Sequence, residues 1–279
     1  MQIVLQDGLF PGFGGPGLAD LLGLADLLGQ PGADMFSFFL GAACASFTLA
    51  CGMRLAAGEP VIRPRSRCRN CGRIISWWAL LPVIGWGLAR GRCQNCRDRL
   101  PLSYLLAELG GGVLFLLLAR QIPASHLPFV WMLAFMGLSV LFSDALALLI
   151  WMPALLLAGG AALLAGGLQL AGILPGWPVS LAEMLAGAGI CAGLPLAAGL
   201  AYQKWRGQPG LGSGDIWLAG VIGLWLGPLG GLAVFCLAAT GGALWAGLLL
   251  LLGRAGRQTP LPFGLYLSAV VLCVLLVYS

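Results

Sequence analysis

The sequence predicts an all-α fold that crosses a membrane about eight times, with a small cysteine-bearing module between its first two crossings. Three observations predict it. Of 279 residues, 59% are hydrophobic and only 9% charged, with 44 glycines, more apolar surface than one soluble core can hide. Several apolar runs reach the roughly 20 residues needed to cross about 30 Å of hydrocarbon, each bounded by Pro, Gly or charge. The basic residues gather beside these runs, as the charge bias of membrane loops requires.

Residues 1–34 contain Asp7, Asp20, Asp26 and Asp34 and no Lys or Arg. They lack the basic start of a secretory signal and are expected to form an N-terminal tail. Its tandem Gly17-Leu-Ala-Asp-Leu-Leu and Gly23-Leu-Ala-Asp-Leu-Leu suits a short amphipathic helix on the membrane surface, or a loosely ordered tail. Helical spans follow near 35–54, 103–120, 127–145, 150–172, 180–202, 214–229, 231–252 and 261–278. The cut between the third and fourth has the weakest signal, because Ala145 to Trp151 is itself apolar, and a merged span would leave seven.

Direction follows from the 15 Lys and Arg. Ten lie in the short loop between the first two spans: Arg54, Arg63, Arg65, Arg67, Arg69, Arg73, Arg90, Arg92, Arg97 and Arg99. The positive-inside bias makes that loop cytoplasmic. Alternation then puts Lys204, Arg206, Arg254 and Arg257 on the same side, leaving only Arg120 outside with the acidic tail and Ser279. The net charge of +5 is explained by topology and anionic lipid, not by nucleic acid.

Within the basic loop, Cys68-Arg-Asn-Cys71 and Cys93-Gln-Asn-Cys96 are separated by 21 residues, close to the spacing of a zinc ribbon. Two tight turns can each present two thiolates to one tetrahedral Zn²⁺. Neighbouring arginines would favour the thiolates, and metal would help fold a segment too small for its own core. Two disulfides are the competing reading, but the expected cytoplasmic side is reducing. A redox role would need only one such pair. Four cysteines close the coordination sphere, so this zinc is expected to be structural and any chemistry to lie elsewhere. Cys44, Cys51, Cys191, Cys236 and Cys273 are scattered through spans and read as small packing residues.

Of ten acidic residues, only Glu108, Asp144, Glu183 and Asp215 lie in or beside spans after the first, where acids are costly and often functional. Asp144 ends the third span and Asp215 begins the sixth, so the topology puts both at the cytoplasmic surface. A pair at one depth could share a proton, one carboxylate acting as base toward water and the other as acid toward a scissile carbonyl. Asp215 sits in Gly212-Ser-Gly-Asp215, followed by Leu218, Gly220 and Gly223, where the backbone can approach another helix or an extended peptide. The plainer alternatives are a helix cap for Asp215 and a solvated helix end for Asp144. Glu183 is expected to cap its helix at the outer interface, and Glu108 to face a polar interior.

In order, these pieces resemble the prepilin peptidase family. The likeness begins with Phe39-Leu40-Gly41, Ser46-Phe47 and Arg54 in the first span. It continues through Arg67-Cys68-Arg-Asn-Cys71-Gly72, Trp77, Leu81-Pro82-Val83, Trp86, Arg90-Gly91-Arg92-Cys93-Gln-Asn-Cys96, Tyr104 and Glu108. Farther on, Gly212-Ser-Gly-Asp215 with Leu218, Gly220, Gly223 and Leu226-Gly227 is similar to the family's GxGD span, and Pro262-Phe263-Gly264 to the start of its last helix.

The resemblance implies an intramembrane aspartyl peptidase of the bacterial inner membrane. Such an enzyme removes the leader of type IV prepilins or type II secretion pseudopilins at the cytoplasmic face, with Asp215 and Asp144 as its catalytic pair. Bifunctional members then methylate the new N-terminus from S-adenosylmethionine, for which the resemblance assigns no residues here. The likeness covers about residues 35–279, and together with the charge topology it divides the chain into a periplasmic tail (1–34), a first transmembrane helix (35–54), a cytoplasmic four-cysteine zinc domain (55–102) and a seven-helix membrane peptidase domain (103–279). Two features depart from the family: Ala145 to Met152 is apolar where further polar residues are usual, and Trp217 replaces a common lysine. They leave open a catalytically idle relative that docks pilus or secretion components through its zinc loop. A small proton-coupled transporter would use both aspartates but not the cysteines or Pro262-Phe263-Gly264.

Overall fold

A computed structural model describes residues 31–61, 65–207, 211–254, 256 and 261–277. The tandem at 17–28, most of the N-terminal tail, Arg63, Arg257 and Ser279 lie outside the described residues. The described chain is all-helical: α1 Pro31–Ala56, α2 Ile84–Leu88, α3 Leu102–Gln121, α4 Leu127–Ala147, α5 Met152–Leu170, α6 Leu181–Arg206, α7 Ser213–Leu251 and α8 Phe263–Val277, with a 3₁₀ turn Trp77–Leu80 before α2. Six of these helices are long and apolar enough to cross a membrane, and α8 is a shorter apolar helix of 15 residues.

The eight expected spans all fall on these helices, but the sixth and seventh share α7. That helix is 39 residues long, and Gly227 inside it is non-helical (φ 69°, ψ −177°) and followed by Pro228. A Cβ built on Gly231 would sit 2.9 Å from the Gly223 Cα, whereas eight residues of straight helix span about 12 Å. The chain therefore doubles back at Gly227 without an intervening loop, giving two adjacent helical arms. Only glycine readily takes that φ/ψ, and Pro228 cannot donate the hydrogen bond that would continue the helix.

The doubtful cut after the third span is real. Leu148 closes α4 in the left-handed conformation (φ 52°, ψ 34°), its N–H donating to the Asp144 carbonyl. Pro153 then opens α5, where its missing N–H costs nothing. At the far end of the bundle, Ser180 and Glu183 form a reciprocal capping box at the start of α6, the role expected of Glu183.

Small residues set the helix spacing. A Cβ on Gly41 would collide with the Gly111 carbonyl, joining α1 to α3, and one on Gly187 with the Gly223 carbonyl, joining α6 to α7. Such approaches let backbones pack where lipid offers no hydrophobic drive. Phe115, Trp131, Met136, Leu155, Met184 and Leu267 fill the interior, with Phe115 and Trp131 stacked at 5.7 Å. Leu156, Leu244 and Leu251 are among many exposed large apolar side chains, an arrangement suited to lipid, not water. Cys51 and Cys191 are buried as packing residues, whereas Cys236 and Cys273 lie on the outer surface.

Both ends of the bundle are identifiable. Asp34 of α1 and Arg120 of α3 pair at 2.7 Å at one end, and the Gly227 turn lies near Val179 and Glu183. The opposite end carries the cysteine module, the α4–α5 and α6–α7 junctions and the start of α8.

Candidate functional site

The cysteine module is two similar knuckles. Antiparallel bridges pair Arg67 with Ile74 and Arg92 with Arg99, and each encloses one CxxC. In the first, the Cys68 N–H donates to the Arg73 carbonyl and Gly72 N–H to Cys68; in the second, Cys93 N–H donates to Asp98 and Arg97 N–H to Cys93. The matching turn residues Gly72 (φ 68°) and Arg97 (φ 60°) share the left-handed conformation.

All four ligand sulfurs lie within 4.8 Å of one another. Cys68 Sγ is 3.7 Å from Cys96 Sγ and Cys71 Sγ 3.9 Å from Cys93 Sγ. A tetrahedron with Zn–S near 2.3 Å has S···S edges of about 3.8 Å, whereas a disulfide holds its sulfurs at about 2.05 Å. All nine cysteines are free thiols. The module thus has the donors and spacing for a metal ion such as zinc. The Arg73 backbone N–H and the Asn95 side chain hold the Cys71 thiol down to about 6. The Cys96 and Asn95 backbone N–H groups likewise lower Cys93. At Cys96 the Asp98 N–H also pulls downward, but burial and the surrounding thiols prevail and push it up to about 12. Three thiols crowding the fourth is the electrostatic problem that a dication relieves.

A second cluster forms where α4, α7 and α8 meet. Asp144, 6% exposed, lies near the C-terminal end of α4. Its Oδ2 accepts a 2.8 Å hydrogen bond from the Leu265 N–H in the first turn of α8, with the Gly264 N–H a further donor. First-turn amides have no partner within their own helix and carry the positive end of its dipole, so the Pro262-Phe263-Gly264 start serves as a cradle for this carboxylate. A Cβ on Gly264 would lie 3.1 Å from Asp144 Oδ2 and 3.1 Å from Val140 Cγ1.

Asp215 is half-buried in the first turn of α7, its carboxylate accepting from the Gly212 N–H. The capping alternative is therefore partly realised. It does not turn the group away, because Asp144 and Asp215 lie within electrostatic reach of each other. The apolar stretch after Asp144 also has a place, Ile150 packing on Gly214 of the GSGD turn and Trp151 meeting Phe47 of α1 at 5.8 Å. Trp217, two residues beyond Asp215, is exposed.

One connection could not be read from sequence. Glu108 is buried, and its two oxygens accept from Ser46 Oγ of α1 and from the Val83 N–H of the cysteine module, both at 2.7 Å. The polar interior expected around Glu108 is thus a latch between α1, α3 and the module. It restrains Val83, a β-branched residue at φ 62°, a conformation that requires support from its surroundings. An acid in the second turn of a span was the only available signal, since its partners lie 62 and 25 residues away.

A family model described as the Bacterial Peptidase A24 N-terminal domain matches residues 39–122. The chain is 30% identical to a prepilin leader peptidase/N-methyltransferase of Myxococcus xanthus over 81% of this chain and 66% of that protein, so it spans about two thirds of that relative. A protein of the same description from Burkholderia pseudomallei is 31% identical over 82% of this chain and 70% of its own length, and one from Bacillus subtilis 28% identical over 83% and 89%. No solved structure matches. Since these relatives align with most of the chain, well beyond the cysteine module, the chain belongs to the prepilin leader peptidase/N-methyltransferase family.

Proposed function

We propose that this protein is an intramembrane aspartyl endopeptidase that removes the leader of type IV prepilins or type II secretion pseudopilins. The observation that carries the reading is that Asp144 and Asp215 lie within electrostatic reach of each other at one end of the bundle, on the side of the cysteine module. With one carboxyl ionised and the other protonated, the ionised group takes a proton from water as its oxygen attacks the scissile carbonyl. The protonated group gives its proton to the carbonyl oxygen, and collapse of the tetrahedral intermediate expels the amine with a returned proton. The α8 amides hold Asp144 in place while its charge changes.

Cys68, Cys71, Cys93 and Cys96 would hold a structural Zn²⁺, which when bound supplies folding energy to the module and no open position for substrate. The names of the relatives support a second step, N-methylation of the new terminus from S-adenosylmethionine. The charge distribution supports an N-terminal tail (1–34) on the outer side of the bacterial inner membrane, a first span (35–54), a cytoplasmic zinc domain (55–102) and a membrane peptidase domain (103–279).

The test is mass spectrometry of a prepilin N-terminus after coexpression. Wild type should remove the leader and add a methyl group. Asp144→Ala and Asp215→Ala should each leave the leader intact at unchanged membrane abundance. Cleavage by either variant would reject that residue's assignment, and an intact leader with the wild type would favour the docking relative.

A further inference from the structure

The geometry points to residues 77–88 as a membrane-inserted element, seated among the lipids on the module's side of the bilayer. This goes beyond leader cleavage and does not depend on it.

The segment Trp77-Trp-Ala-Leu-Leu-Pro-Val-Ile-Gly-Trp-Gly-Leu88 contains no charged residue, although it lies within the most basic part of the chain. It folds as two short helical turns, Trp77–Leu80 and Ile84–Leu88, about the sharp bend at Val83. Its large side chains do not form a core: Trp77 is 72% exposed and Leu88 64%, and Leu80, Leu81 and Ile84 are exposed with them. Ile74, just before the segment, is 62% exposed. A water-facing loop with this composition would be a serious aggregation hazard.

Its depth is set by the latch. The Val83 N–H is bonded to Glu108, which lies six residues into α3, or about 9 Å from the helix start at 1.5 Å per residue. Leu102 and Leu106 of α3 are themselves exposed, so the apolar face of that helix begins before the level at which Val83 is held. The segment's centre therefore lies at the depth of a turn that already faces lipid. Exposed Arg73, Arg90 and Arg92 flank it on both sides, where their charges can meet phosphate groups while tryptophan occupies the interface. Apolar side chains at membrane depth, fringed by arginine, match a phospholipid leaflet.

The test places the full-length protein in nanodiscs of phosphatidylglycerol with either brominated or ordinary phosphatidylcholine. Trp77 is one of ten tryptophans, so its signal is taken as the fluorescence difference between wild type and Trp77→Phe. Bromolipid should remove most of that difference, while aqueous iodide should leave it largely intact. A difference quenched by iodide and indifferent to bromolipid would overturn the proposal. Should Trp77→Phe fail to fold, Leu88→Trp adds an indole whose increment is read in the same way and by the same criteria. Glu108→Ala should raise iodide access to Trp77, and Glu108→Gln, which keeps an acceptor for Val83, should not. No step requires prepilin, so an inactive peptidase would not alter the outcome.

Discussion

Gly264 shows how a single position constrains the chemistry of its neighbour. Its missing Cβ leaves room for the Asp144 carboxylate against the first turn of α8. Gly264→Val should displace that carboxylate and, because misplacing a reacting group by about 1 Å can cost roughly 100-fold, lower leader cleavage by that order with little change in membrane yield. A time course of prepilin processing would measure it, and wild-type rates would sink the idea. At the cysteines, sulfur spacing matches a tetrahedral metal site. Purified wild type should carry one zinc per chain by elemental analysis and Cys68→Ser close to none; a metal-free wild type would refute the assignment. The clustering of these cysteines was legible from their spacing, and Asp215 stood out as a candidate from its GSGD context. Asp144 was harder to place because the residues after it are apolar. In the folded protein that apolar run is used for packing, Ile150 against Gly214 and Trp151 against Phe47, so its composition says nothing against the aspartate.

The elements were largely readable, because each span requires an apolar run of fixed length. Their ends were readable where a specific residue stops or starts a helix, as at Ser180 with Glu183 and at Pro153. Where no such residue exists the sequence was ambiguous, and Leu148 ends α4 without any compositional mark. The hairpin within α7 depends on Gly227. Gly227→Ala forces a Cβ into a φ/ψ region essentially reserved for glycine, at a cost of ~1–3 kcal/mol. The variant should show lower thermal stability in detergent by circular dichroism, with its helical content retained. An unchanged transition would mean that the turn is held by packing alone.

For the molecule as a whole, the bundle has two chemically different ends, the Asp34–Arg120 pair at one and the cysteine module, Asp144, Asp215 and the α8 start at the other. If the positive-inside bias governs this chain, phosphatase fusions after Gln121 should be active in the periplasm and those after Arg206 inactive. The reverse pattern would invert the proposed orientation. Charge bias and the length of apolar runs act locally along the chain, so sequence by itself determined the membrane class, the approximate positions of the apolar helices and the four-cysteine module. The tertiary structure alone decided that α8 cradles Asp144, that Glu108 latches the module to α1 and α3, and that Asp215 comes within reach of Asp144. These contacts join residues far apart in the chain, and small-residue spacing can mark a face for close helix packing without saying which helix it will meet.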